Sequence, residues 1–348
     1  MMHMNQGQGE TSYAVNSSHQ NAKQERLKPL IEAAIIDLCS NNDNLSHGKV
    51  VIADLGCSSG PNALVLVSTA VKAIHGHFLR LQQSPPEVCV LLNDLPDNDF
   101  NMVVKSLVTL RRSHEPVVTV GITPGSFYER LFMSGSLHLM CSSYCLHWLS
   151  KSPEVLIRNR IPAYDIDGDA RLERLLVVHE AYAQQFRSDF TNFLDLRAKE
   201  LVSGGRLVVS LLGRTIASKS SHIWEGIVIP LSIMVSEGVI DKDKFHSFYL
   251  PMYGPSNDEL REIIQAEGSF SIMAMQVHGL ITGTDSAVIN PSRYMKMIRA
   301  VFEQLVVQHF GDVMDEVVRT GEQHFSLDGR LHDLTANGTM LVVSLTKS

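Results

Sequence analysis

The sequence of 348 residues lacks the features of several large protein classes. Its five cysteines form no CxxC pair and are odd in number, which predicts free thiols in a reducing compartment. No apolar run approaches the roughly 20 residues that span a bilayer, and the N-terminal residues show no signal-peptide pattern. Basic runs are absent and the net charge is −7, which argues against a nucleic-acid partner. These absences predict a soluble, cytoplasmic protein that binds neither nucleic acid nor membrane.

The chain does contain a regular alternation of short apolar runs and helical patterns. The runs predicted to be strands are Val50–Asp54, Val88–Asn93, Val117–Ile122, Leu137–Ser142 and Leu207–Leu212. Short, nearly continuous apolar runs are typical of parallel strands that are covered on both faces. The alternation therefore predicts an α/β fold with a doubly wound, mostly parallel sheet.

Helical periodicity fills the gaps between these strands. One apolar face consists of Leu64, Val67, Val71, Ile74 and Phe78, and a later one of Tyr182, Phe186, Phe190, Phe193 and Leu194. We predict that the later helix ends at Gly204-Gly205, as at a C-cap, and that Pro230 interrupts an apolar helical stretch from Ile223 to Val235.

We expect a single unit over residues 1–348 that combines a sheet core with a helical cap. The core is expected over about 25–150 and 180–214, plus 256–284 and 335–348, and the cap over about 151–179, 215–255 and 285–334. Within the core, Ser269–Val277 and Thr339–Thr346 are predicted as closing strands at the sheet edge.

The turn after the first predicted strand points to a nucleoside ligand. Gly56 and Gly60 follow Asp54 with G-x-x-x-G spacing, which is neither the pyrophosphate-binding G-x-G-x-x-G nor a Walker loop. Asp94, at the end of the second strand, suits a ribose, because a carboxylate can accept hydrogen bonds from its hydroxyls. In a nicotinamide-dependent oxidoreductase the ribose-binding acid is expected about 20 residues after the turn. Asp94 lies 40 residues after Asp54, which argues against that class. S-adenosylmethionine fits because its positive sulfonium suits acidic surroundings. The alternative is that the glycines merely close a tight turn.

Seven segments in order along nearly the whole chain carry a family resemblance. They are GETSYAVNSSHQ, ADLGCSSGPN, LNDLPDNDFN, PGSFYERLF, SSYCLHWLSKSP, ELVSGGRLVVSLLGR and YGPSNDEL. Together they resemble the plant SABATH methyltransferases. The resemblance implies a Rossmann-like class I methyltransferase fold with a helical cap, S-adenosylmethionine as cofactor, and frequent homodimers. Members methylate small carboxylic acids such as salicylate, benzoate, jasmonate or anthranilate, and one branch methylates purine-alkaloid ring nitrogens.

The resemblance also assigns roles to individual residues. The implied cofactor-binding residues are Tyr13, Ser17, Asp54, Cys57, Asn62, Asp94, Leu95, Ser126 and Phe127. The implied substrate-binding residues are Gln20, Tyr144, His147, Trp148, Leu212, Ile223 and Trp224. No general base is expected, because a carboxylic acid with a pKa of roughly 3–4.5 is already ionised at pH 7. Gln20 and Trp148 are instead predicted to orient the carboxylate through neutral N–H donors.

The sequence leaves open whether magnesium binds and which acceptor is methylated. Magnesium has been assigned in some family members to an aspartate and an asparagine, but His246 and Tyr249 stand at these positions, so we predict no metal ligands and leave magnesium undecided. The flat faces of Tyr144 and Trp148 favour a benzoate-like or salicylate-like acid. Jasmonate or another acid, a xanthine-type N-methyltransferase, and a non-catalytic binding protein are the alternatives.

Overall fold

The structure is a computed structural model of the chain. It describes residues 4–7, 9–41, 48–59, 61–111, 118–215, 224–279, 290–327, 331–332, 334 and 338–348. Gly60, Val117, Ile223 and the expected boundary at 284–285 lie outside the described residues.

The described residues form one mixed sheet between helices. Its strands are β1 Lys49–Leu55, β2 Glu87–Asp94, β3 Val118–Pro124, β4 Leu137–Ser143, β5 Leu201–Arg214, β6 Phe270–Gly279 and β7 Gly338–Lys347. The helices are α1 Tyr13–Asn16, α2 Ser18–Gln24, α3 Lys28–Asn41, α4 Val65–Arg80, α5 Phe100–Arg111, α6 Glu154–Asn159, α7 Gly168–Glu200, α8 Glu225–Ser236, α9 Lys242–His246, α10 Asn257–Glu267, α11 Pro291–Phe310 and α12 Met314–Phe325.

The strand order is β3-β2-β1-β4-β5-β7-β6. Strands β1 to β5 run parallel, and β7 pairs antiparallel with both β5 and β6. The doubly wound, mostly parallel α/β fold is therefore confirmed. The prediction that both closing strands lie at the edge is wrong for β7, which is inserted between β5 and β6. Its first eight residues are buried, as expected for a strand that is covered on both sides.

Two apolar clusters cover the two faces of the sheet. Helices α3 and α4 pack on one face, where Ile31 and Val67 meet strand residues such as Ile52. On the other face, the aromatic side of α7 packs with α8 against β5, where Phe190 and Ile227 are fully or almost fully buried. Helical caps fit these elements locally, since Asp167 caps α7 and Ser256 forms a capping box at α10.

Two local predictions are corrected by the structure. The helix predicted to end at Gly204-Gly205 ends at Glu200, and both glycines lie inside β5. They fall where the register between β4 and β5 shifts, and a Cβ on Gly205 would lie 2.9 Å from the Val202 carbonyl oxygen. The glycines thus serve a strand irregularity and not a C-cap.

Pro230 does not interrupt its helix, because α8 continues through it to Ser236. The helix is packed tightly against α12: a Cβ on Gly321 would lie 3.1 Å from Pro230 Cγ. Tertiary packing therefore outweighs the local preference of proline. Among the helices in the described ranges, none has the length and apolar character needed to cross a membrane.

Candidate active site

The turn after β1 is held against the end of β2. The N–H groups of Gly56 and Cys57 both donate to the Asn93 carbonyl oxygen at 2.9 Å. Gly56 has a φ of +75°, and a Cβ there would lie 2.4 Å from the Cys145 sulfur. Position 56 therefore requires glycine both for its backbone conformation and for lack of space. The structure supports the prediction of a tight turn at the carboxyl ends of the strands.

Asp94 fastens this turn from the neighbouring strand. Its Oδ2 accepts from the Ser58 N–H at 2.5 Å, and its Oδ1 accepts from the Leu95 N–H at 2.8 Å. The Asn98 side chain donates to the Ser58 carbonyl at 2.9 Å. Ser58 itself has a φ of +56°, an uncommon conformation for a residue with a side chain. The carboxylate and the strained turn therefore form one preorganised wall.

A cavity of about 500 Å³ opens at the carboxyl ends of β1 to β4. It brings together most of the residues predicted from sequence: Tyr13, Gln20, Cys57, Asn62, Asp94, Leu95, Ser126, Phe127, Tyr144 and Trp148. Among the described lining residues there is no lysine or arginine, whereas three are acidic: Asp94, Glu129 and Asp189. The cavity is therefore suited to a ligand with positive charge and many polar groups.

Five other predicted residues do not line this cavity, and Ile223 lies outside the described residues. The five are Ser17, Asp54, His147, Leu212 and Trp224. Ser17 is buried and supports a lining residue, because the Asn62 amide donates to its hydroxyl at 2.9 Å.

Trp224 and Leu212 belong to the apolar core beside the cavity. The Trp224 indole N–H donates to the Met252 carbonyl at 3.1 Å, and its ring lies 4.6 Å from that of Tyr182. Leu212 lies on β5 opposite Met340.

Asp54 is a buried carboxyl group behind the turn. Its side chain is 2% exposed. Burial, together with the smaller effect of the nearby Asp94 carboxylate, raises the pKa of Asp54 to about 8. In the protein without ligand, Asp54 is therefore mostly protonated at pH 7. A cation bound nearby would favour its ionised form.

The wall formed by residues 126–132 depends on a buried ion pair that sequence reasoning missed. Arg197 donates to the carbonyls of Phe127 and Glu129, both at 2.8 Å. Glu200 accepts from the N–H groups of Leu131 and Phe132 at 2.7 and 3.0 Å. These contacts fix the backbone that presents Phe127 to the cavity.

The cavity also extends further than predicted. Lining residues without a predicted role include Met4, Gln24, Tyr128, Leu149, Ser150, Asn192 and Pro251. Asp189 anchors this extension, since it accepts from the Ser150 N–H at 2.8 Å and from the Ser150 hydroxyl at 2.7 Å. An acid on a long helix next to several aromatics gives no sequence signal of this role.

Another part of the cavity wall, the aromatic end, is formed by Tyr144 and Trp148. Tyr144 has a φ of +62° and is held by its N–H, which donates to the Ser210 carbonyl at 2.8 Å. Its ring meets that of His147 edge-on at 5.6 Å, and Trp148 lies 5.8 Å from His147 and 5.7 Å from Phe302. The strained backbone at Tyr144 therefore places its ring in the cavity wall that it shares with Trp148, with the other two rings packed behind them.

His147 is buried behind Tyr144 and is uncharged. Burial lowers the pKa of His147 to about 3, and the positive charge of Lys23 contributes to the same shift. Its Nδ1 faces the Leu212 N–H at 3.5 Å, which makes Nδ1 the acceptor and Nε2 the protonated nitrogen. With this pKa, His147 is a poor general base at pH 7.

Helix α2 supplies two side chains to the aromatic end. The Oε1 atom of Gln20 is buried and has no hydrogen-bond partner among the described residues, as expected for a polar group that awaits a ligand. One turn later, Lys23 is 3% exposed and its Nζ donates to the Tyr144 hydroxyl at 2.6 Å. Sequence reasoning missed Lys23, although its i,i+3 spacing from Gln20 puts both on one helix face.

The residues at the suspected metal position do not fit magnesium. His246 Nε2 lies 3.7 Å from Asp165 Oδ1, and the Tyr249 hydroxyl is directed at the Leu156 carbonyl at 3.5 Å. Asp165 is also paired with Arg174. Magnesium prefers an octahedral set of oxygens, which this imidazole and paired carboxylate do not supply. The described residues contain no cluster of three metal-ligating side chains.

The site residues fit S-adenosylmethionine. The Gly56 turn leaves no room for a Cβ, and Asp94 stands at the end of β2. Acidic side chains line the cavity, and its described lining residues include no lysine or arginine. A nucleoside with a sulfonium matches this donor set, whereas a pyrophosphate would require basic or N–H donors in place of the acids.

Comparisons with known proteins show which family the chain is similar to. A family profile described as SAM dependent carboxyl methyltransferase matches residues 1–348. A benzoic acid/salicylic acid carboxyl methyltransferase from Petunia hybrida is 39% identical, over 94% of this chain and 93% of the relative. The jasmonate O-methyltransferase of Arabidopsis thaliana is 36% identical, over 91% of each chain.

A solved structure gives the same result for the fold. A loganic acid methyltransferase with SAH superposes with a TM-score of 0.87 at 26% identity, over 99% of this chain and 98% of that chain. The fold and the sequence therefore agree on the family. The chain belongs to the SABATH family of S-adenosylmethionine-dependent carboxyl methyltransferases.

Proposed function

We propose that this enzyme transfers the methyl group of S-adenosylmethionine to the carboxylate of a small aromatic acid of the benzoate or salicylate type. One observation carries the proposal: a single cavity joins an acidic, glycine-turn end at Asp94 to an aromatic end at Gln20 and Trp148. The first end suits a sulfonium nucleoside and the second suits a planar acid. The activity named for the petunia relative supports the same substrate class, whereas the activity named for the Arabidopsis relative supports the jasmonate alternative.

The proposed cofactor side consists of side chains that wall or brace one end of the cavity. They are Tyr13, Ser17, Asp54, Cys57, Asn62, Asp94, Leu95, Ser126 and Phe127. When bound, S-adenosylmethionine supplies a methyl carbon on a positively charged sulfur, which leaves with the electron pair of the broken bond. Asp94 and the Gly56 turn would position the nucleoside, and Phe127, fixed by Arg197, would cover it.

The proposed acceptor side orients an anion without titrating it. Gln20 and Trp148 would donate N–H groups to the carboxylate, and Tyr144 would contact its ring. His147, Leu212 and Trp224 would support this wall from the core behind it, and the family resemblance assigns Ile223 to the same side. No proton moves, because the acid is already ionised and the new bond forms from a carboxylate oxygen. Holding the reacting atoms in line can lower the barrier by up to roughly 7–11 kcal/mol in ideal systems.

Other acceptors that the family methylates are the alternatives to an aromatic acid. Jasmonate or another acid would need a longer pocket, and a xanthine-type N-methyltransferase would need added partners for ring carbonyls. The cavity end at Tyr144 and Trp148 offers flat rings, which favours the aromatic acid. The family resemblance also supports a homodimer, and the odd number of cysteines without a CxxC pair supports a cytoplasmic location.

The experiment is incubation of the purified enzyme with methyl-labelled S-adenosylmethionine and a panel of benzoate, salicylate, anthranilate, jasmonate and a xanthine. We expect a labelled methyl ester, extracted into organic solvent, with benzoate or salicylate as the best acceptor. Heat-inactivated enzyme serves as the control. Absence of ester from every acid would refute the proposal, and a labelled xanthine alone would favour the alternative.

A further inference from the structure

A buried lysine lies directly behind the aromatic end of the cavity. Lys23 is 3% exposed, does not line the cavity itself, and sits one helical turn beyond Gln20 on α2. Its Nζ donates to the Tyr144 hydroxyl at 2.6 Å and lies 4.4 Å from the centre of that ring. A buried ammonium is costly to desolvate, and such groups are often found where function requires them.

The contact decides which way the Tyr144 hydroxyl can act. A lysine ammonium has three donors and no acceptor, so Tyr144 Oη must be the acceptor of this bond. The phenol proton has to point elsewhere, and Tyr144 lines the cavity. Among the described residues, no hydrogen-bond acceptor is found for that proton. A ligand oxygen in the cavity would complete the geometry.

The phenol also stays protonated, so it remains a donor. Burial raises the pKa of Tyr144 well above its usual value, while the guanidinium of Arg26 works against that rise. A hydroxyl that accepts from a cation is polarised and becomes a stronger donor to its next partner. An anion is the partner that gains most from such a donor and from the positive charge behind it.

We propose that Lys23 is a positioning residue that makes the acceptor end of the cavity select anionic over neutral acceptors, by holding the Tyr144 hydroxyl as a donor to the acceptor carboxylate. This inference rests on the function proposed above. It adds a charge to the neutral donors Gln20 and Trp148 without placing that charge in contact with the attacking oxygen. The carboxylate is bound more tightly, yet it is not locked into an ion pair that would blunt its reactivity.

The test compares benzoate with benzamide, its neutral isostere, in calorimetric titrations of the enzyme saturated with S-adenosylhomocysteine. In the wild type we expect benzoate to bind more tightly than benzamide. In Lys23→Met the benzoate affinity should fall about tenfold, while benzamide affinity stays within about twofold. Lys72→Met, at an exposed position on α4, is the matched control and should change neither.

Further variants separate this role from a structural one. Lys23→Arg keeps the charge and should retain most of the benzoate preference. In a Tyr144→Phe background, Lys23→Met should change the benzoate affinity by less than about twofold, because the hydroxyl through which Lys23 acts is already absent. The inference would be overturned if Lys23→Met weakened the binding of benzoate and benzamide by the same factor. It would also be overturned if the preference for benzoate over benzamide did not change.

The same samples distinguish the two proposals. Ester formation from S-adenosylmethionine and the acids tests the proposed function in the wild type alone. If the wild type forms ester but binds benzoate no better than benzamide, only the role of Lys23 is refuted. If the wild type forms no ester from any acid, the proposed function is refuted and the inference falls with it.

Discussion

Arg197 and Glu200 lie one turn apart on α7, both completely buried, with Arg197 Nη2 donating to Glu200 Oε1 at 3.1 Å. Each also bonds the backbone of residues 127–132, so the pair joins α7 to one wall of the cavity. The Phe127 side chain is thereby positioned by α7, which also lines the cavity itself through Asp189 and Asn192.

Breaking this pair should cost both stability and cofactor affinity. Glu200→Gln leaves the Arg197 guanidinium buried without its counter-ion, and we expect a loss of about 3–5 kcal/mol in the free energy of unfolding. Urea denaturation measures the loss, and calorimetry should show weaker binding of S-adenosylhomocysteine. The control is Arg187→Met at an exposed pair with Glu262, where we expect at most about 1 kcal/mol. Equal effects at the two sites would contradict this account.

The Gly56 turn gives a second prediction. Gly56→Ala introduces a Cβ at a φ of +75° and 2.4 Å from the Cys145 sulfur, so both stability and cofactor affinity should fall. Adding Cys145→Gly should restore part of the loss by removing the clash, but not the backbone strain. Gly76→Ala, in the interior of α4 with open space around it, should instead stabilise by about 0.5–1 kcal/mol. Thermal and urea denaturation provide the measurements. If Gly56→Ala left the stability unchanged, that would argue against the tight turn.

Asp54 should make the ligand-free protein less stable as the pH rises. Its pKa is raised from 3.8 to about 8, so the folded state keeps a proton that the unfolded chain loses between these values. The free energy of unfolding therefore falls through this window and levels off above about pH 8. His147, whose pKa is lowered from 6.5 to about 3, has the opposite effect, but only below about pH 6.5.

The window from pH 6.5 to 8 isolates Asp54 from His147. Urea unfolding should show a loss of about 2 kcal/mol across it in the wild type, and a flat profile in Asp54→Asn. A wild-type profile that rises with pH here would show that Asp54 is ionised in the folded protein.

Removing the proposed acceptor donors should reduce turnover without unfolding the protein. Gln20→Ala and Trp148→Phe each delete an N–H donor, and we expect kcat/KM for the best acid to fall by about 10-fold or more. Trp148→Phe retains an aromatic ring against Phe302, so its melting temperature should change little. Unchanged kcat/KM in both variants would remove these residues from the reaction.

The sequence predicted the features that depend on local order along the chain. Apolar runs identified β1 to β5, and the Gly56 turn with Asp94 followed because each stands directly at the end of a strand. Predictions from glycine and proline were wrong where tertiary packing outweighs the local preference of these residues. Gly204-Gly205 looks like a helix end but occupies a strand irregularity, and Pro230 lies inside a continuous helix.

Residues that act across long sequence separations could not be found in this way. Lys23 touches Tyr144, and Arg197 bonds Phe127, over separations of 121 and 70 residues. Their partners are set only when the sheet brings α2, the end of β4 and α7 together. Burial likewise decides that His147 is neutral and that Asp54 holds a proton, and a single sequence gives no direct measure of burial.

The most direct test is a crystal structure of the enzyme with S-adenosylhomocysteine and benzoate. We predict that the ribose lies at Asp94 above the Gly56 turn, and that a benzoate oxygen points at the sulfur while the carboxylate accepts from Gln20 and Trp148. Benzoate bound elsewhere, or a nucleoside remote from Gly56 with the Trp148 indole facing away, would contradict it.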